Sequence, residues 1–193
     1  VFTAARSKAK AKQLLQIPTD AFVVGFIGRL GREKDLPTLY RAFRRLERSC
    51  PNVWLLIVGV GVRDVEVLFQ SEKHIISVGK QDNVIPYLQA MDAYVLPSLT
   101  ETTSLSTLEA MSCEVPVICT PVGYVKEYVQ EKVNGMLFPF RNNLILSSKL
   151  ELLYQDTILR RSLGKAARKT VERDFQLSKT ITTLKKLLKQ HCS

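Results

Sequence analysis

Short apolar runs alternate with amphipathic stretches along most of this chain. AFVVGFIG (21–28), VWLLIVG (53–59), HIISVG (74–79), AYVLP (93–97), VPVICT (115–120) and GMLFP (135–139) are β-branched and mostly continuous rather than alternating. That pattern predicts parallel strands covered on both faces. Between them, LPTLYRAFRRLERSC, VEVLFQS, NVIPYLQAM, SLSTLEAMSC and VKEYVQE predict helices, with Asp35 and Asp64 as expected N-caps of the first two. Strand and helix in turn give an α/β class: a doubly wound parallel sheet with right-handed crossovers.

Beyond Pro139 the strand signal stops. NNLILSSKLELLYQD, TILRRSLGKAARKTVERDF and SKTITTLKKLLKQH carry apolar residues at helical spacing and predict additional C-terminal helices. At the other end SKAKAKQLLQIPTD reads as a lead-in helix or linker that stops at Pro18. The expected division is a linker over 1–20, one α/β domain over 21–175 and a terminal helix over 176–193. A second core would be cramped in 193 residues. The chain opens on Val1 with no signal peptide before the first strand, the start expected of a fragment or a processed chain.

Composition narrows the classes only a little. Hydrophobic residues make up 46% and charged residues 24%, which is ordinary for a globular domain. No apolar run approaches the roughly 20 residues of a membrane-spanning helix. Cys50, Cys113, Cys119 and Cys192 form no CxxC pair, so neither a zinc site nor a disulfide framework is indicated. Buried thiols in a reducing, cytoplasmic compartment are expected instead. The net charge of +10 suits phosphates, nucleic acid or anionic lipid. Much of it lies in ARSKAKAK, RRSLGKAARK and LKKLLKQH, which read as solvated helix faces. No aromatics interleave with them, so nucleic acid is disfavoured. Peripheral contact with the inner face of a membrane stays open.

The strand ends carry the chemistry, because open parallel sheets bind ligands beyond their carboxyl ends. The first run ends in GRLGREKD, bringing Arg29, Arg32 and Lys34 just before a helix. The second ends in GVGV, where Gly59 and Gly61 let backbone approach closely; the third ends in GKQDN, the fourth in PSLTETTS and the fifth in TPVG. Cations, glycines and hydroxyls on one rim suit an anionic phosphate, and helix N-termini add free amides. The last glycine of a GxGxxG fingerprint would fall on Asp64, so a nicotinamide enzyme is disfavoured.

Glu101 and Glu109 stand eight positions apart in that fourth segment. On one helix they would be separated by about 12 Å, too far for a carboxylate dyad. Glu101 is expected on the loop and Glu109 in the helix after it. A carboxylate accepts hydrogen bonds from neighbouring hydroxyls, so Glu109 could hold a ribose diol and Glu101 a second hydroxylated group. Ser106-Thr-Leu-Glu109 equally fits a capping box, in which Glu109 only closes the helix start. The residues alone leave both readings open.

Taken in order and spacing, Gly28-Arg29-Leu30 with Lys34, Pro97-Ser98, Glu101, Glu109-Ala110-Met111, Pro116-Val117 and Asn134-Gly135 resemble one known family. It is the nucleotide-binding C-terminal half of retaining glycosyltransferases of the GT-B fold, the sugar-nucleotide-dependent group that includes sucrose-phosphate, trehalose and phosphatidylinositol mannosyl transferases. The resemblance runs from about Phe22 to Phe175 and implies a Rossmann-like half of a GT-B fold. It implies that Arg29 and Lys34, beside Gly28 and Gly59, neutralise the diphosphate of a nucleotide sugar and stabilise the leaving group. Glu109 would bind the ribose and Glu101 the donor sugar near the reacting carbon. The backbone of Ser104 and Leu105 would hold phosphate oxygens, and Lys80 and Gln81 would border the base. No metal or other cofactor is implied; the nucleoside-diphosphate sugar is the donor substrate.

The resemblance also implies what this chain lacks, an N-terminal acceptor-binding domain. Residues 1–20 would be the end of the linker from it. The last helix would cross back toward it, with Ile181, Leu184, Leu187 and Leu188 either docking there or packing within this domain. The chain departs from relatives at Glu101-Thr-Thr-Ser-Leu105, where a glycine-containing loop is usual, and at Val60, Asp35 and Cys113-Glu114. Donor choice therefore cannot be copied from them. An isolated nucleotide-sugar-binding module without activity, or a related sugar-nucleotide epimerase, are the alternatives.

Overall fold

The computed structural model describes residues 2–5, 7–70, 72–176, 181 and 185. All six expected strands form: β1 (Phe22–Ile27), β2 (Val53–Val58), β3 (Ile75–Ser77), β4 (Ala93–Leu96), β5 (Val117–Cys119) and β6 (Met136–Leu137). They make one parallel sheet in the order β3-β2-β1-β4-β5-β6. β1, β4 and β5 are buried at every position, which is why their sequences run apolar without alternation. The order reverses between β1 and β4, the place where a doubly wound sheet opens a crevice.

Eight helices accompany the sheet among the described residues: α1 (Lys8–Leu14), α2 (Leu36–Ser49), α3 (Arg63–Glu66), α4 (Ile85–Ala90), α5 (Leu105–Ser112), α6 (Val125–Tyr128), α7 (Asn143–Gln155) and α8 (Thr157–Asp174). α2 buries Leu36, Leu39, Phe43 and Leu46, and packs beside α7, which buries Leu146, Leu150 and Leu153. Each such side chain contributes about 1.5–3 kcal/mol. α8 lies close enough to the α5–β5 turn that a Cβ on Gly164 would stand 2.2 Å from the Glu114 carbonyl oxygen. None of the described helices is long and apolar enough to cross a membrane.

Several sequence expectations need correction. Val62, not Asp64, occupies the N-cap of α3; Asp64 sits inside the helix and pairs with Arg32. Asp35 does precede α2, but in a left-handed conformation and without a side-chain capping bond. α6 stops at Tyr128 because the Asn134 side chain takes over the helical partners. Its Nδ2 donates to the Tyr128 carbonyl at 2.8 Å and its Oδ1 accepts from the Gln130 amide at 2.7 Å. The lysine run of α1 is not wholly solvated either. Lys12 is buried, with Nζ 2.7 Å from Asp92 Oδ2 and 2.6 Å from the Ala21 carbonyl. Cys50, Cys113 and Cys119 are buried free thiols, whereas Cys192 lies outside the described residues. So does the expected last helix, apart from Ile181 and Lys185.

Candidate functional site

Beyond the carboxyl ends of β1 and β2, a crevice of about 470 Å³ is lined by Gly28, Arg29, Gly59, Lys80, Gln81 and apolar side chains including Ile27 and Val84. Gly59 shapes its floor. Its φ is +138°, and a Cβ there would stand 1.9 Å from the Gly28 carbonyl oxygen, so only glycine lets the two strand ends touch. The Gln81 side chain is fixed by a 2.8 Å bond from Nε2 to the Val78 carbonyl. Five of the residues singled out from sequence therefore share one cavity.

The cations after β1 are each held by an acid. Arg29 reaches Glu33 at 2.6 Å and Arg32 reaches Asp64 at 2.9 Å, both in open positions. Lys34 pairs with Glu101, and here the side chains are only 17% and 11% exposed. Ser98 Oγ donates to the same Glu101 oxygen at 2.9 Å, and Thr120 Oγ1 ties the Ser98 carbonyl at 2.6 Å. The Leu99 amide donates to the Glu33 carbonyl at 2.8 Å. On the far side Gly123, at φ +51°, packs against the Glu101 carbonyl, where a Cβ would be 2.0 Å away. The Tyr124 amide binds the Thr102 carbonyl at 3.0 Å. Glu101 is thus gripped from three loops.

α5 resolves the alternatives left open for Glu109. Ser104 is the N-cap, its hydroxyl accepting from the Thr107 amide, so no capping box joins Ser106 to Glu109. Ser106 Oγ instead meets the Tyr94 hydroxyl at 2.8 Å, and that hydroxyl lies 3.4 Å from the carbonyl of Ile27 in the crevice wall. Glu109 follows Ser106 at i+3 and Leu105 at i+4, on the same side of the helix. It is half-buried, and burial raises its carboxyl above the ordinary value of 4.5. No cation pairs with it among the described residues. Leu105, 70% exposed, opens the first turn, where amides lack intrahelical acceptors.

Three sets therefore surround the β1–β4 reversal: the crevice residues, the Lys34–Glu101 pair, and Ser104, Leu105 and Glu109 on α5. Lys34 is not itself part of the crevice wall; it faces Glu101. Sequence reasoning missed Glu33 as the partner of Arg29 and Gly123 as a support of Glu101. The first had a local signal, an acid four residues after a base; the second did not. Among the described residues no group of three or more His, Cys, Asp or Glu is placed to hold a metal ion.

Residues 7–170 match the sequence profile described as glycosyl transferases group 1. The chain belongs to that family. It is similar to the capsular polysaccharide biosynthesis glycosyltransferase CapM of Staphylococcus aureus, 27% identical over 162 residues, which cover 81% of this chain and 43% of CapM. Two solved structures share the fold of this group 1 glycosyltransferase domain. One is the C-terminal domain of the group 1 family protein LpcC from Francisella tularensis (TM-score 0.83, 22% identity, 92% of this chain and 97% of that one). The other is HepE of Anabaena in complex with UDP (TM-score 0.89, 21% identity, 98% of this chain and 54% of that one). The fold is that of a GT-B C-terminal domain, and the chain spans about half the length of the curated relatives it matches.

Proposed function

We propose that this group 1 domain is the donor-binding half of a retaining glycosyltransferase, which moves a sugar from a nucleoside diphosphate to an acceptor held by an N-terminal domain outside this chain. The observation that carries the reading is the rim at the β1–β4 reversal, where a glycine-floored crevice adjoins the Lys34–Glu101 pair and a carboxyl without a cation, Glu109. The base enters the apolar crevice beside Gln81, and Glu109 accepts hydrogen bonds from the ribose hydroxyls. The diphosphate lies across the rim, drawing Arg29 from Glu33 and Lys34 from Glu101, with the amides of Ser104 and Leu105 on its oxygens. As the glycosidic bond breaks, charge grows on the diphosphate, and these fixed cations and amides stabilise it more than they stabilise the bound donor. Release of Lys34 also frees Glu101 to accept a hydroxyl of the donor sugar.

HepE was solved with UDP, which makes uridine the first base to try. Retention, and the passage of residues 1–20 and 176–193 toward the acceptor domain, rest on the family resemblance. Titration calorimetry of the chain with UDP, GDP and ADP tests the reading. Saturable binding of one nucleotide, weakened about tenfold or more by Arg29→Ala, is expected. No saturable binding of any of them sinks it. Because the chain is half the length of its relatives, we expect it to bind donor without transferring sugar, since holding two substrates together is much of catalysis.

A further inference from the structure

On α2 the exposed residues Arg41, Arg45 and Arg48 follow the spacing i, i+4, i+7 and form one stripe. The stripe faces α7: Arg45 and Arg48 share a surface groove of about 450 Å³ with Leu144, Ser148 and Glu151. At the N-terminal end of α7, Arg141 is exposed, and Phe140 and Leu144 are 45% and 54% exposed. None of these four arginines forms an ion pair among the described residues, whereas Arg44, on the other flank of α2, is taken by Glu47 and Glu72. Asp35 lies near Arg41 and Arg141, and Glu151 borders the groove, so four arginines face two acids.

We infer that this α2–α7 face docks on an anionic phospholipid surface. Guanidinium groups supply the attraction to lipid phosphates, and Phe140 and Leu144 reach the boundary below the headgroups, as interfacial helices require. The apolar members favour lipid over nucleic acid, which would call for stacking aromatics along a basic groove. Residues 177–193 of the chain make poor occupants, because they carry Lys179, Lys185, Lys186 and Lys189 and no acid. α2 begins at Leu36, just past Lys34, so the docked face starts at the edge of the rim.

The test is co-sedimentation of the full 193-residue chain with phosphatidylcholine vesicles containing or lacking phosphatidylglycerol. Binding is expected only with phosphatidylglycerol, falling about fivefold for each arginine in Arg45→Gln and Arg45→Gln/Arg48→Gln. Leu144→Ser weakens it further, while thermal melting and UDP titration of these variants stay as in the parent. Equal binding to neutral vesicles overturns the inference. So does binding that survives the double arginine change but is lost in Lys185→Gln/Lys186→Gln, which would make the last segment the anchor. A gel shift showing RNA bound through the same two arginines, without vesicle binding, also overturns it. None of these outcomes depends on the donor reading.

Discussion

Lys34 and Glu101 stand 67 residues apart and meet in an ion pair that joins the loop after β1 to the loop after β4. Both side chains are largely out of water, and Ser98 fixes the carboxylate from a third direction. Removing one partner from such a pair costs more than removing both, because the remaining charge is stranded. Lys34→Ala should therefore lose about 2–3 kcal/mol, lowering Tm by roughly 5–10 °C. Lys34→Met/Glu101→Gln should recover most of that loss yet bind nucleoside diphosphate poorly. Scanning fluorimetry and calorimetry on the three variants check this; equal losses in the single and double variants would show the pair is uncoupled.

Glu33 acts in the opposite direction. It holds the exposed Arg29 at 2.6 Å, so a diphosphate must compete with its carboxylate for that cation. Such open pairs are worth at most about 1 kcal/mol. Glu33→Gln should then tighten UDP binding about threefold to fivefold, and the gain should shrink at high salt as the charges are screened. Weaker binding in this variant would mean that Glu33 orients Arg29 for the phosphates rather than competing with them.

The sheet was legible because each strand is buried on both faces and reads as an unbroken apolar run. Helix ends were less so, since tertiary partners set them: Asn134 stops α6, and Tyr94 takes Ser106, leaving Ser104 to cap α5. Lys12 looked like one more solvated lysine because its partner Asp92 lies 80 positions away. The rim residues could be named from their places at strand ends. Their pairing could not, for Lys34 with Glu101 is a contact between two loops that no local spacing encodes.

Gly123 supports Glu101 without touching any ligand in the proposed reaction. Its φ of +51° already disfavours a side chain, and a Cβ would collide with the Glu101 carbonyl oxygen and stand 3.0 Å from that of Thr102. Backbone atoms cannot yield as a flexible side chain does, so Gly123→Ala must push the 101–103 loop away. The expected result is a stability loss of about 1–3 kcal/mol together with weaker donor binding. Binding of UDP-glucose should suffer more than binding of UDP, because Glu101 is assigned to the sugar. Equal loss for both ligands in calorimetry would confine Gly123 to a general structural role.

Glu109 sets binding against stability. Burial raises its carboxyl above the ordinary 4.5, so the folded chain binds this proton more tightly than the unfolded chain. With a raised folded value, stability falls as pH rises above the ordinary carboxyl range, and the loss is complete once pH exceeds the folded value. Glu109→Gln removes that cost: at neutral pH the ligand-free variant should melt higher than the parent, and below about pH 4.5 the advantage should vanish. The same change withdraws a charged acceptor from the ribose, worth about 1.5–3 kcal/mol, so UDP binding should weaken roughly tenfold to a hundredfold. Melting curves across pH, paired with UDP titrations, read both effects in one protein. A variant that gains no stability at neutral pH and binds UDP like the parent would remove Glu109 from the site.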